Sequence, residues 1–191
     1  AGSGQDAINA VETLLNQGAT ALVIDLRGNA GGLAAETRTF LDYLLPGGTL
    51  FESVDKAGNK VRYESDNVCI QLPMCVLINA ETHAEAEVFA AVMKEFQAAS
   101  LVGEATTGDT RTQSTIEISD GSAMRISTGS YLTAGGTDIS KAGGVIPDRI
   151  IYNSGKNVSD ALKQVREEVT ITPEIEYILS FIENSQRGIL R

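Results

Sequence analysis

The run Val76-Leu77-Ile78-Asn79-Ala80-Glu81-Thr82-His83-Ala84-Glu85-Ala86-Glu87-Val88-Phe89 reads as a buried strand, a short polar turn and a helix. A side chain at the start of such a helix stands at the positive end of the macrodipole. That is a good place for a nucleophile and for stabilising an oxyanion. The residue there is Ala84, which has no nucleophilic atom. Thr82 and His83 are its polar neighbours, but adjacent residues in a turn point in different directions, so neither replaces a hydroxyl at 84. His83 is the only histidine in the chain. In a polar turn it reads as a solvated side chain rather than as a base or metal ligand with Glu85 or Glu87.

Three segments carry a resemblance. Leu22-Val23-Ile24-Asp25-Leu26-Arg27-Gly28-Asn29-Ala30-Gly31-Gly32 is close to "(L/V)ILDLRxNPGG". Asn79 to Phe89 is similar to "NxxTxSAAExF", with Ala84 at the serine. Leu101-Val102-Gly103-Glu104-Ala105-Thr106-Thr107-Gly108-Asp109-Thr110-Arg111-Thr112-Gln113 is similar to "VGxxTxGKGxxQ", with Asp109 at the lysine. Asp120 to Thr128 and Gly144 to Asp148 match "DGSxLxLT" and "GIxPD". Together they resemble the tail-specific, or C-terminal processing, serine peptidases over nearly all of residues 6 to 185.

A Ser/Lys peptidase needs a hydroxyl nucleophile, a neutral amine to take its proton, backbone donors for the oxyanion and a groove for an extended peptide. The resemblance implies that Ala84 lacks the hydroxyl and Asp109 the amine. Gln113 keeps the position that orients the base. Gly31, Gly32 and the backbone of Glu85 remain candidate oxyanion donors, because a backbone N–H survives side-chain substitution. Asp25, Arg27 and Asn29 read as builders of a tight turn, and Glu87 as structural. Two independent losses favour a naturally degenerate site over one engineered change. The expectation is a pseudo-peptidase that binds a peptide or unstructured protein segment, or serves as a scaffold. An exposed strand edge near Ser127 to Leu132 and the turn before the Ala84 helix are the expected binding surfaces. The rival is a tail-specific endopeptidase whose nucleophile was mutated; a crotonase-type acyl-CoA enzyme ranks third. The resemblance also implies export from the cytosol and a PDZ domain, which would precede residue 1. The family's first core strand is not found before the opening helix.

Composition bounds these readings. The chain has 191 residues, 42% hydrophobic and 21% charged, with a net charge of −10. That balance is globular, and the acidity argues against nucleic acid and anionic membrane as partners. No stretch approaches the ~20 apolar residues of a membrane span. The opening Ala1-Gly2-Ser3-Gly4 reads as a cut point, so the chain is expected to be a trimmed piece. Cys69 and Cys75 are six steps apart, about 20 Å in extended chain, beyond disulfide reach. Buried free thiols are expected, with no cofactor and no metal site. Oligomeric state is not legible.

The elements that position these residues follow from period and punctuation. Ile8, Val11, Leu14 and Leu15 mark a helix over 5–17 ended by Gly18. Strand Ala21 to Leu26, a glycine turn and a helix to Leu45 come next. A hairpin over Thr49 to Tyr63, strand Met74 to Ile78, helix Ala84 to Phe96 and strand Leu101-Val102 follow. The inner stripe of the Ala84 helix is expected to be Val88, Ala91, Val92 and Phe96. Thr115 to Ile118 and Ala123 to Thr128 flank Asp120-Gly121, a hairpin signal. A strand over Arg149 to Tyr152 and helices over Val158 to Val169 and Pro173 to Ser185 end the chain. The alternation implies an α/β class with mixed sheet. The resemblance sharpens it to a crotonase-like/ClpP-like fold of stacked ββα units. With no linker in view, residues 1 to 191 read as a single domain.

Overall fold

The computed structural model describes residues 2–150, 162–163, 165–167 and 171–184. Two compact units divide the chain, Ala1–Arg149 and Ile150–Arg191.

The first unit opens with α1 (Ser3–Asn16), β1 (Leu22–Asp25), α2 (Ala34–Leu44), β2 (Gly48–Asp55) and β3 (Lys60–Ser65). It continues with β4 (Met74–Ile78), α3 (Glu85–Glu95), β5 (Ser100–Gly103), β6 (Arg111–Glu117), β7 (Ala123–Thr133), α4 (Ile139–Ala142) and Arg149, the first residue of β8 (Arg149–Ile150). Two four-stranded sheets result, in the orders β1-β4-β5-β8 and β3-β2-β7-β6. β1, β4 and β5 run parallel, with Leu22 opposite Met74 and Cys75 opposite Ser100. The second sheet is antiparallel throughout. The class is therefore mixed α/β, as the alternation implies.

Helix α3 lies at the centre. Every residue from Ala86 to Met93 is buried. The stripe read from the sequence is present, but the helix is enclosed on its other faces too, because α2, β2, β5 and β7 all pack on it. Ala86, Ala90 and Ala91 let these neighbours approach closely. Phe89 stacks on Phe40 of α2 at 5.4 Å. Fully buried Val76, Ile78, Val88, Val92, Met93 and Leu101 share one core with Leu50, Phe51 and Tyr131 of the second sheet, each contributing about 1.5–3 kcal/mol relative to exposure.

Two differences concern β6 and β7. Both strands run longer than the hairpin signal indicates, over Arg111–Glu117 and Ala123–Thr133. β7 also lies inside its sheet. Residues 129–133 pair with β2, residues 123–130 with β6, and the Tyr131 N–H donates to Thr110. The segment Ser127 to Leu132 is thus not an exposed edge; the outer strands of this sheet are β3 and β6.

Cys69 and Cys75 are both free and half-buried, and burial pushes the Cys75 thiol up to about 11. In the second unit, α5 (Pro173–Asn184) starts at the proline. Arg166 bridges to Glu176 at 2.7 Å and Glu183 at 3.1 Å. The expected strand residues Ile151 and Tyr152, Ser185 and most of the helix over 158–169 lie outside the described residues. Among the described residues no helix is long and apolar enough to cross a membrane.

Candidate functional site

Three loops at the carboxyl ends of parallel strands converge here: 26–33 after β1, 79–84 after β4 and 104–110 after β5. This end of a parallel sheet is where α/β folds hold their ligands.

The first loop is locked by its own polar residues. Burial pushes the Asp25 carboxyl up, but Arg27 outweighs it with a bidentate pair at 2.9 and 2.7 Å, so the group is held below its ordinary value. The Gly28 N–H donates to Asn79 Oδ1 at 3.0 Å, tying this loop to the second. The Gly31 N–H donates to Asn29 Oδ1 at 2.9 Å. Gly31 has φ 85, and a Cβ on it would fall 2.7 Å from the Ala84 Cβ. Only glycine allows this approach.

The second loop ends at Ala84, with φ 51 and ψ −123. A residue with a Cβ rarely adopts this backbone, and holding it there costs about 1–3 kcal/mol. Thr82, fully buried, bonds the Leu26 carbonyl at 2.9 Å. The His83 N–H donates to the Asn29 carbonyl at 2.9 Å, and its Nδ1 meets the Glu81 carbonyl at 2.7 Å. The two residues before Ala84 are therefore fixed, one to each neighbouring segment of the first loop.

The third loop is held by Glu87, which lies one turn into α3 and is fully buried. Its Oε1 accepts from Thr106 Oγ1 and from the Gly108 N–H at 2.6 Å. Its Oε2 accepts from the Asp109 N–H at 2.9 Å and the Ala84 N–H at 3.2 Å. The Ala84 N–H is shared with the Asp109 carbonyl, also at 3.2 Å. Asp109 thus reaches Ala84 by its backbone. Its side chain turns to Arg111, with two contacts of 2.6 Å. That pair holds the carboxyl below its ordinary value, and His83 adds a smaller effect in the same direction.

Gly31, Gly32, Ala84, Glu85 and the Asp109 backbone come together. Gln113 does not join them: it is exposed on β6 opposite Ser127, beyond a bulge at Thr112/Gln113. Among the described residues no hydrogen bond links it to Asp109. No group of three or more His, Cys, Asp or Glu able to hold a metal is found among the described residues.

Two features of this corner escaped the sequence reading. The Glu85 side chain folds back so that Oε2 accepts from the Gly32 N–H at 3.0 Å and Oε1 from the Tyr131 hydroxyl at 3.0 Å. The signal for Glu85 was in the motif, which has alanine at that place. Tyr131 gives no such signal; it comes from the second sheet, its ring edge-on to Phe51 at 5.8 Å. Burial first, then the Glu85 charge, pushes the Tyr131 hydroxyl well above its ordinary value, so it stays a donor. Beside Glu85 and Gly32 lies a cavity of about 300 Å³ with Ile24, Leu26, Leu33, Phe40 and Phe89 in its lining.

The sequence model of Peptidase family S41 matches residues 1–151. A second model, Udp N-acetylglucosamine O-acyltransferase; Domain 2, matches only residues 148–190. The chain is 34% identical over 148 residues to carboxyl-terminal-processing peptidase 2, chloroplastic, of Arabidopsis thaliana, covering 76% of this chain and 28% of that protein. It is 32% identical over 144 residues to carboxy-terminal processing protease CtpA of Bacillus subtilis (strain 168), covering 74% and 31%. The solved photosystem II D1 C-terminal processing protease superposes with TM-score 0.71 at 32% identity, covering 78% of this chain and 39% of that one. The chain spans about a third of the length of these curated relatives. The strained helix start, the glycine turn against it and these matches have one source: the chain belongs to peptidase family S41, as a tail-specific, C-terminal processing peptidase domain.

Proposed function

We propose that this domain is a catalytically inactive member of its family that holds a peptide or an unstructured protein segment, or serves as a scaffold. The observation that carries this reading is the pair of residues at the helix start. Ala84 sits in the strained turn with no hydroxyl, and the residue whose carbonyl meets its N–H is Asp109, a carboxylate neutralised by Arg111. A carboxylate held below its ordinary range is a poor proton acceptor near neutral pH. Nothing at position 84 offers a proton to accept. Gly31, Gly32 and the Glu85 backbone are the proposed remnant of an oxyanion hole. The relatives are named as processing peptidases, which supports a protein segment as partner. The chloroplastic name of the Arabidopsis relative supports a location outside the cytosol.

A peptidase whose serine has been replaced is the second reading. The intact turn favours it: Ala84 keeps the strained backbone, and Glu87 keeps the loop beside it. Cleavage of an unfolded protein by the unaltered chain, Ala84→Ser, and Ala84→Ser with Asp109→Lys separates the two. Inactivity of the first two supports the pseudo-peptidase reading. Strong cleavage by Ala84→Ser alone supports the second, and cleavage by the unaltered chain defeats the first.

A further inference from the structure

We propose that the Glu85 side chain is a built-in plug: its carboxylate occupies the corner of the site that would receive an anionic oxygen, and closes it to outside ligands. The proposal rests on the peptidase-like reading of the groove and adds what fills it. Both amides of the glycine turn are spent internally, Gly31 on Asn29 and Gly32 on Glu85. The plug and Ala84 border the same space, since Oε2 and the Ala84 Cβ each lie 2.7 Å from where a Gly31 Cβ would stand. Tyr131 clamps the other oxygen from the opposite sheet. The carboxylate is also the first residue of α3, where the macrodipole favours negative charge. A ligand carboxylate or carbonyl oxygen must displace Glu85 from two hydrogen bonds and enter beside its charge. The side chain closes the polar corner only; the apolar cavity lies beside it.

The test is an NMR titration of the ¹⁵N-labelled chain, Glu85→Ala and Glu85→Gln with sodium acetate, against sodium chloride of equal ionic strength. Removal of the plug frees the Gly32 amide. In Glu85→Ala that amide is expected to shift saturably with acetate and not with chloride. In the unaltered chain acetate binding is expected to be weaker by roughly tenfold or more, the worth of a charge-assisted hydrogen bond. Glu85→Gln keeps an acceptor of the same length, so it stays closed. The spectrum reports folding, and Glu85→Ser takes the place of Glu85→Ala if that variant does not fold. An equal acetate response in the unaltered chain overturns the plug, as does no response in a folded Glu85→Ala. N-acetyl-trialanine amide, which has no carboxylate, is titrated separately. If it binds no variant while acetate enters Glu85→Ala, the peptide-groove reading fails and the plug stands. If it binds while acetate does not enter, the plug fails and the groove stands.

Discussion

Ala84 is an L-residue in a conformation suited to glycine, with φ 51 and ψ −123. The surrounding bonds impose it: His83 is tied to Asn29 on one side and the Ala84 N–H to Asp109 and Glu87 on the other. Ala84→Gly is therefore expected to stabilise the domain by about 1 kcal/mol, the released strain less the entropy of an added glycine. A urea midpoint that moves down instead would show that the backbone is relaxed. The same residue sets the catalytic expectation. A missing base costs on the order of 10²–10⁴ in rate and an obstructed oxyanion donor on the order of 10²–10³. Ala84→Ser restores neither, so it is expected to stay at background in a casein-release assay. Ala84→Ser with Glu85→Ala and Asp109→Lys is expected to rise measurably above it, though not to full rates, because a lysine base must also be positioned and its pKa tuned. If the triple variant is as silent as the single one, these are not the three lesions.

At the scale of elements, α3 carries the site because its first turn serves three loops at once. Glu87 gathers four donors: Thr106, Gly108, Asp109 and Ala84. Loss of such a buried acceptor leaves those donors unmatched in a low-dielectric interior. Glu87→Ala is expected to cost about 3 kcal/mol in urea unfolding. Amide exchange at Gly108 and Asp109 is expected to accelerate more than exchange at Val76. Uniform acceleration along the chain would mean that Glu87 supports the whole core rather than this loop. The helix itself is legible from its alanines and apolar residues. That it is buried all round is not, since residues such as Ala90 and Met93 face neighbours distant in sequence.

At the scale of the molecule, several carboxylates act as acid-sensitive ties. Arg111 holds Asp109 below its ordinary range. Burial pushes Asp148 up, but the Leu101 N–H at 2.8 Å and Lys94 outweigh it, and Asp25 behaves likewise beside Arg27. A carboxylate depressed in the folded state adds stability that is present above its unfolded value, about 4. That stability is lost as the pH falls through the folded values. The domain is expected to weaken progressively below about pH 4, and Asp148→Asn to flatten part of that slope. Urea midpoints at several pH values for both proteins would reveal an unchanged slope if the tie is inert. These groups are partly exposed, so each contributes modestly.

The amino-acid sequence alone determined the strand–turn–helix at Ala84, the glycine turn, the mixed α/β class and the residue types at positions 84 and 109. Each is a local matter of period, punctuation and residue type. Met74–Ile78 is a strand because it is a short apolar run between turn signals, and Ala84 lacks an oxygen in any fold. Only the tertiary structure decided which groups meet. Tyr131 reaches Glu85 across 46 positions of chain. Asp109 spends its carboxylate on Arg111, and Gln113 is set apart from it by a bulge. β7 became an interior strand because β2 and β6 both found it, a pairing that no property of residues 127–132 announces. Which partners fill a hydrogen bond depends on distances between loops, and those exist only once the sheets have packed on α3.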